Sequence, residues 1–140
     1  MIPAVQDLLP HRPPMVLVEE VVHLDEAAGT VRCLCRLPLD SGLVTGGSGP
    51  RMIVIEMLAQ SAACLKGWTE LRRGNPVRPA YLVRVDDLGI GRAPDPGEAV
   101  VVEAREARGV ADYFIYEARA EAGGEVLASG TLRFMVDRTT

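Results

Sequence analysis

Ile53-Val54-Ile55-Glu56-Met57-Leu58-Ala59-Gln60-Ser61-Ala62-Ala63-Cys64-Leu65 is the stretch on which the fold of this chain turns. Its composition predicts the N-terminal half of a helix over 51–72, with Gly74 placed to end it. That half is apolar nearly all round. A helix without a polar face has to be wrapped by other structure, and at roughly 20 residues it is about 30 Å long, enough to cross a small domain. It is therefore expected to be the central element. Two polar side chains are set into it. An ionised carboxylate is costly to bury without a partner, so Glu56 is either satisfied structurally or kept for chemistry. Gln60 lies one helical turn further on, where its amide can orient that carboxylate or a water molecule, or simply satisfy a buried polar contact.

The flanking sequence reads as strands. Residues 15–24 and 30–37 form a hairpin around Asp25-Glu26-Ala27-Ala28-Gly29, the second strand alternating Val31, Cys33, Cys35 and Leu37 against Arg32 and Arg36. Residues 80–91, 98–106, 110–121 and 125–136 give four more strands, with turns at Pro94-Asp95-Pro96-Gly97, Arg108-Gly109 and Gly123-Gly124. Pro10-His11-Arg12-Pro13-Pro14 is a connector, because proline disfavours helix in the residue before it. Two strands, a long buried helix and four strands fit an α+β domain in which a curved antiparallel sheet wraps the helix. At 140 residues, with no repeat or linker, 1–140 reads as a single domain.

Composition narrows the function classes. The formal net charge of −4 argues against nucleic-acid binding, which needs a basic field. With 4% aromatic residues, the core is expected to be made of Val, Leu, Ile and Ala. No basic segment leads into an apolar run at the N-terminus, and the longest apolar stretch, 52–65, is interrupted by Glu56 and Gln60 and too short to span a bilayer, so a cytoplasmic protein is expected. Cys33 and Cys35 share one strand face and Cys64 lies on the helix; this is no metal pattern, and they read as reduced core thiols. Neither metal nor cofactor is expected.

Leu8-Leu9-Pro10-His11-Arg12-Pro13-Pro14-Met15-Val16-Leu17-Val18-Glu19 resembles the opening motif of the (3R)-hydroxyacyl-[acyl-carrier-protein] dehydratases. Ile55-Glu56-Met57-Leu58-Ala59-Gln60-Ser61-Ala62 is similar to that family's second motif, a Glu-Ala-Met-Ala-Gln segment on its central helix. Order and spacing agree, and the resemblance covers nearly the whole chain. It implies the hot-dog fold, normally a dimer with two active sites at the subunit interface. In that family a histidine in a Gly-His-Phe-Pro segment acts with the helix acid; counting back from Glu56, Gly42 stands there. Ser41-Gly42-Leu43-Val44-Thr45-Gly46-Gly47-Ser48-Gly49-Pro50 instead resembles the glycine-containing stretch of divergent dehydratase-like proteins encoded with aryl-polyene synthesis. The resemblance thus implies a dehydratase-like protein of fatty-acid or polyene biosynthesis that lacks the usual histidine. It acts on or binds thioesters of acyl carrier protein or coenzyme A, as a homodimer or a heterodimer with a related hot-dog subunit.

Dehydrating a 3-hydroxyacyl thioester requires removal of a C2 proton and protonation of the departing hydroxyl, work for a base and an acid held at different pKa values. Glu56 fills one role. His11 is the candidate for the other, or its imidazole makes a structural hydrogen bond to backbone; His23, near the end of the first strand beside Asp25, is expected to face solvent or lie at the sheet edge. Backbone N–H groups at Gly46, Gly47 and Gly49 suit an oxyanion, unless this is only a flexible loop. Trp68 and Tyr81 either border an acyl tunnel or belong to the core. Arg72, Arg73 and Arg78, with Lys66 and Arg84 nearby, offer a docking patch for an acidic carrier protein, or a solvated helix end. Two other readings stay open: a thioesterase using the helix carboxylate, and a non-catalytic partner subunit.

Overall fold

The computed structural model describes residues 2–39, 42 and 50–139. Along the chain these form α1 (Val5–Leu8), β1 (Val18–Asp25), β2 (Thr30–Cys35), α2 (Ile53–Arg72), β3 (Ala80–Ile90), β4 (Val100–Val110), β5 (Tyr113–Ala122) and β6 (Glu125–Val136). The strands make one antiparallel sheet in the order β1-β2-β4-β5-β6-β3. Period-2 alternation decides which side of the sheet meets α2. Val100, Val102 and Ala104 of β4 and Tyr116, Ala118, Ala120 and Ala122 of β5 are buried, and the run of alanines keeps the sheet surface low beneath the helix. On the opposite face Arg32 pairs with Glu103 at 2.9 Å and Arg105 with Glu117 at 2.8 Å. α2 buries Ile53, Val54, Met57, Leu58, Ala62, Cys64 and Leu65. The helix ends as expected: Gly74 adopts φ +77°, and the Asn75 N–H turns back to the Glu70 carbonyl at 2.9 Å.

Several boundaries differ from the sequence reading: β2 ends at Cys35 and not residue 37, β4 starts at Val100 and not 98, and β5 starts at Tyr113 and not 110. β1 starts at Val18, not residue 15, because the backbone before it bonds elsewhere: Met15 N–H donates to the Arg12 carbonyl at 3.0 Å, and Leu17 N–H donates to a side chain of α2. The turn expected at Arg108-Gly109 falls instead at Ala111 and Asp112. A register shift between Glu106 and Arg108 carries β4 on to Val110. Gly109 is there for close approach: a Cβ would stand 3.0 Å from the Phe114 ring and 2.7 Å from the Glu106 carboxylate. Cys33, Cys35 and Cys64 are buried free thiols. Among the described residues no helix is long and apolar enough to cross a membrane.

α1 is short but fixed in place. It lies across α2 at Gly67, where a Cβ would collide with the Leu8 carbonyl and stand 3.1 Å from its carbon. Leu8 and Leu9 are fully enclosed by this crossing, and they lead directly into Pro10 and His11. Gly67→Ala is expected to destabilise the protein by about 1–3 kcal/mol through overpacking, although alanine favours helix by ~0.5–1 kcal/mol over glycine. Urea denaturation measures this; an unchanged midpoint would contradict the close crossing.

Candidate active site

Gln60 is completely buried in the most apolar part of α2. Its Nε2 donates to the Met15 carbonyl at 2.7 Å and to Glu56 Oε1 at 2.9 Å, and its Oε1 accepts the Leu17 N–H at 2.8 Å. Both amide protons and the carbonyl are therefore engaged. One side chain thus ties the entry of β1 to the helix and holds the Glu56 carboxylate. Arg12 shapes the preceding loop by donating to the Leu9 and His11 carbonyls at 2.9 and 2.7 Å.

That loop carries His11 to the carboxylate: Nε2 stands 3.5 Å from Glu56 Oε1, with the two side chains 33% and 37% exposed. Among the described residues the imidazole makes no hydrogen bond to backbone. Nδ1 is buried with no partner among the described residues, and Nε2 faces Glu56. Burial pushes the Glu56 carboxyl up, but the approach of His11 and the hydrogen bond from Gln60 outweigh it and hold the group below its usual value. Glu56 is consequently a carboxylate at neutral pH, able to accept a proton.

Glu56, His11 and Gln60 line a cavity of about 560 Å³ that follows one face of α2. The helix contributes Glu56, Ala59, Gln60, Ala63, Lys66, Gly67, Thr69 and Glu70 to it, and its C-terminal cap contributes Arg73, an i, i+3, i+4 stripe whose small residues leave the space open. The sheet contributes Phe114, Tyr116 and Phe134. Arg73 and Arg78 also line the cavity, whereas Arg72 does not: it lies 5.6 Å over the Trp68 ring and 3.5 Å from Glu26. Lys66 turns inward, 2.7 Å from Glu70 and 3.7 Å from the centre of the Phe114 ring.

Other expected residues stand apart. Trp68 packs against the core, and Tyr81 is exposed on β3 with its hydroxyl donating to Asp137 at 2.9 Å. Neither lines the cavity, and Tyr81 is no core residue because β3 is an edge strand. His23 is exposed on β1. Gly42 is exposed at φ +79°, with nothing within 4 Å of where a Cβ would stand. Gly46, Gly47 and Gly49 lie outside the described residues. Sequence reasoning missed Tyr116, Glu106 and Glu70. The alternation of Phe114, Tyr116, Ala118, Ala120 and Ala122 against Glu117, Arg119 and Glu121 was the available signal for the first.

The model of a family described as ApeP dehydratase matches residues 3–139. The chain belongs to the ApeP-like dehydratase family. It is 30% identical over 133 residues to the 3-hydroxyacyl-[acyl-carrier-protein] dehydratase FabZ of Streptococcus equi subsp. zooepidemicus, covering 93% of each chain. The solved dehydratase heterocomplex ApeI:P from Xenorhabdus doucetiae superposes with a TM-score of 0.88 at 23% identity, covering 97% of this chain and 92% of the other. A hypothetical thioesterase solved with coenzyme A from Streptococcus pneumoniae gives a TM-score of 0.61 at 10% identity, with 84% of each chain covered. This is the hot-dog fold. The ApeP-like dehydratase family accounts for both motifs and for the dehydratase-like function, with its ties to fatty-acid and aryl-polyene biosynthesis.

Replacing Gln60 with alanine removes a donor from Glu56 and leaves the Leu17 N–H and Met15 carbonyl unpaired. Gln60→Ala is expected to cost at least about 1–3 kcal/mol and to raise the Glu56 pKa towards its ordinary value. Thermal unfolding and carboxyl-carbon NMR titration of Glu56 measure the two effects.

Proposed function

We propose that this chain is a subunit of a 3-hydroxyacyl-thioester dehydratase, with Glu56 as its acid–base group and His11 as the companion. The observation that supports this is an ionised carboxylate, oriented by Gln60 and 3.5 Å from an imidazole nitrogen, on the wall of a cavity. The Glu56 carboxylate takes the C2 proton. The electron pair forms the C2–C3 double bond, and the C3–O bond breaks. The departing hydroxyl takes the His11 Nε2 proton and leaves as water. Proton return from Glu56 to His11 resets the pair.

Gly42 stands where related dehydratases carry a histidine, so a related hot-dog subunit completes the site in this proposal. The heterocomplex found for a structural relative supports that arrangement. So does the difference between the two sheet edges. β1 exposes Glu19 and Glu20 beside Val22, while β3 exposes Tyr81, Leu82 and Val83 in succession, the more apolar edge and the one suited to pairing with another sheet. Acyl carrier protein or coenzyme A delivers the thioester. Arg73 and Arg78, with Arg72 beside them, form the docking region for an acidic carrier, and Gly46, Gly47 and Gly49 offer N–H groups to the thioester oxygen. The proposal takes 1–140 as one hot-dog domain working in the cytoplasm.

The test follows water loss and free thiol release from 3-hydroxyacyl and plain acyl thioesters, with wild type, Glu56→Gln and His11→Ala. Slow dehydration by the isolated chain is expected, falling a further ~10²–10⁴-fold in Glu56→Gln. Thiol release abolished by Glu56→Gln would establish a thioesterase instead. Inactivity on both substrates, alone and with a hot-dog partner, would establish a binding subunit. Val83→Lys on the exposed β3 edge is expected to shift the protein towards monomer in sedimentation velocity, with little change in unfolding of the chain itself.

A further inference from the structure

Tyr116 stands on the middle of β5, opposite Glu106 on β4 and Leu132 on β6. It is 2% exposed and lines the same cavity as Glu56. Its ring meets Phe134 edge to face at 5.7 Å between centroids. The phenolic oxygen is buried and has no hydrogen-bond partner among the described residues. A buried hydroxyl left unpaired is destabilising relative to phenylalanine in the same space. Packing against Phe134 therefore explains the ring and leaves the hydroxyl unexplained.

The surroundings define what the hydroxyl can do. Burial pushes the phenol up, and the carboxylates of Glu106 and Glu70 push it the same way, so it stays protonated and acts as a donor. The Phe114 ring, two residues before Tyr116 on β5, sits under Lys66, about 15 Å along α2 from Glu56 at ~1.5 Å per residue, so this part of the cavity wall lies away from the reacting carbons. The nearby Lys66 charge is already engaged by Glu70 and the Phe114 ring, so it does not call for an anionic ligand group beside Tyr116.

We infer that Tyr116 is a specificity-determining residue whose hydroxyl donates a hydrogen bond to an uncharged oxygen of the bound thioester, away from the reacting centre. The oxygen is an amide carbonyl of the pantetheine arm or a hydroxyl on the distal acyl chain; both present the same neutral acceptor. This inference rests on the acyl-thioester reading of the cavity and adds to it a recognition point separate from Glu56.

Three probes separate the cases: octanoyl pantetheine, the S-ethyl thioester of octanoic acid, and the S-ethyl thioester of 8-hydroxyoctanoic acid. Their dissociation constants are measured calorimetrically on wild type and Tyr116→Phe, in the assembled protein, beside melting temperatures. The expected result is that wild type binds an oxygen-bearing probe about tenfold more tightly than the plain ethyl thioester, as one good hydrogen bond allows. Tyr116→Phe removes that preference, leaves plain-thioester binding unchanged, and keeps or raises the melting temperature. Preference for the pantetheine probe identifies the arm as the source, and preference for the hydroxyoctanoyl probe identifies the chain. A preference that survives in Tyr116→Phe, equal wild-type affinity for all three probes, or a lowered melting temperature overturns the inference while leaving the thioester reading intact. Wild type binding none of the probes overturns both.

Discussion

A fully buried amide in an apolar helix has to find every one of its partners inside the protein, and Gln60 does so by reaching out of α2 to the chain that precedes β1. That requirement organises the site. The Met15 carbonyl and Leu17 N–H are taken by the side chain and not by a neighbouring strand. The connector from Leu9 to Val16 is thereby held against the helix, and His11 comes to rest beside Glu56. The remaining amide proton goes to the carboxylate itself. The acid is held by the same group that fixes the loop carrying its companion. In such a network, loss of one member leaves the others unsatisfied in a low-dielectric setting, where the cost is greatest.

The helix and sheet meet the cavity in different ways. α2 supplies polarity at intervals along a stripe of small residues, so its backbone forms much of the wall between Glu56 and Arg73. The sheet supplies the aromatic rings of Phe114, Tyr116 and Phe134 together with Leu82, Glu106 and Val136. Gly109 and Gly67 perform related tasks here. The first lets the Phe114 ring and Glu106 lie close to β4, and the second lets α1 press against α2. Neither position carries a positive φ. Their constraint is space.

Much of this could be read from residues alone. An all-round apolar helix has to be surrounded, and the alternation after residue 98 shows that a sheet does it. Glu56 and Gln60 stood out because polar groups in such a helix need a reason. What stayed hidden depended on long-range register. The β4–β5 turn was misplaced because Gly109 looks like a turn residue, while the register shift at Glu106 and Arg108 that extends the strand leaves no local mark. The exposure of Tyr81 follows from β3 being the last strand of the sheet, a fact of strand order that its own neighbourhood in the sequence does not carry. The pairing of His11 with Glu56 spans 45 positions and follows from the tether made by Gln60, which no spacing rule contains.

The edge formed by β3 also bears on how the protein must be made. An eleven-residue strand ending the sheet, with Tyr81 and Val83 exposed, presents an open backbone edge and apolar surface together, and such edges nucleate aggregation. A chain released from the ribosome without a counterpart within reach faces a race between assembly and self-association. Under the proposed pairing with a related subunit, matched synthesis of the two chains, from adjacent messages or at equal dosage, becomes a requirement for yield. Excess chain with this edge uncovered would go to chaperones and proteases.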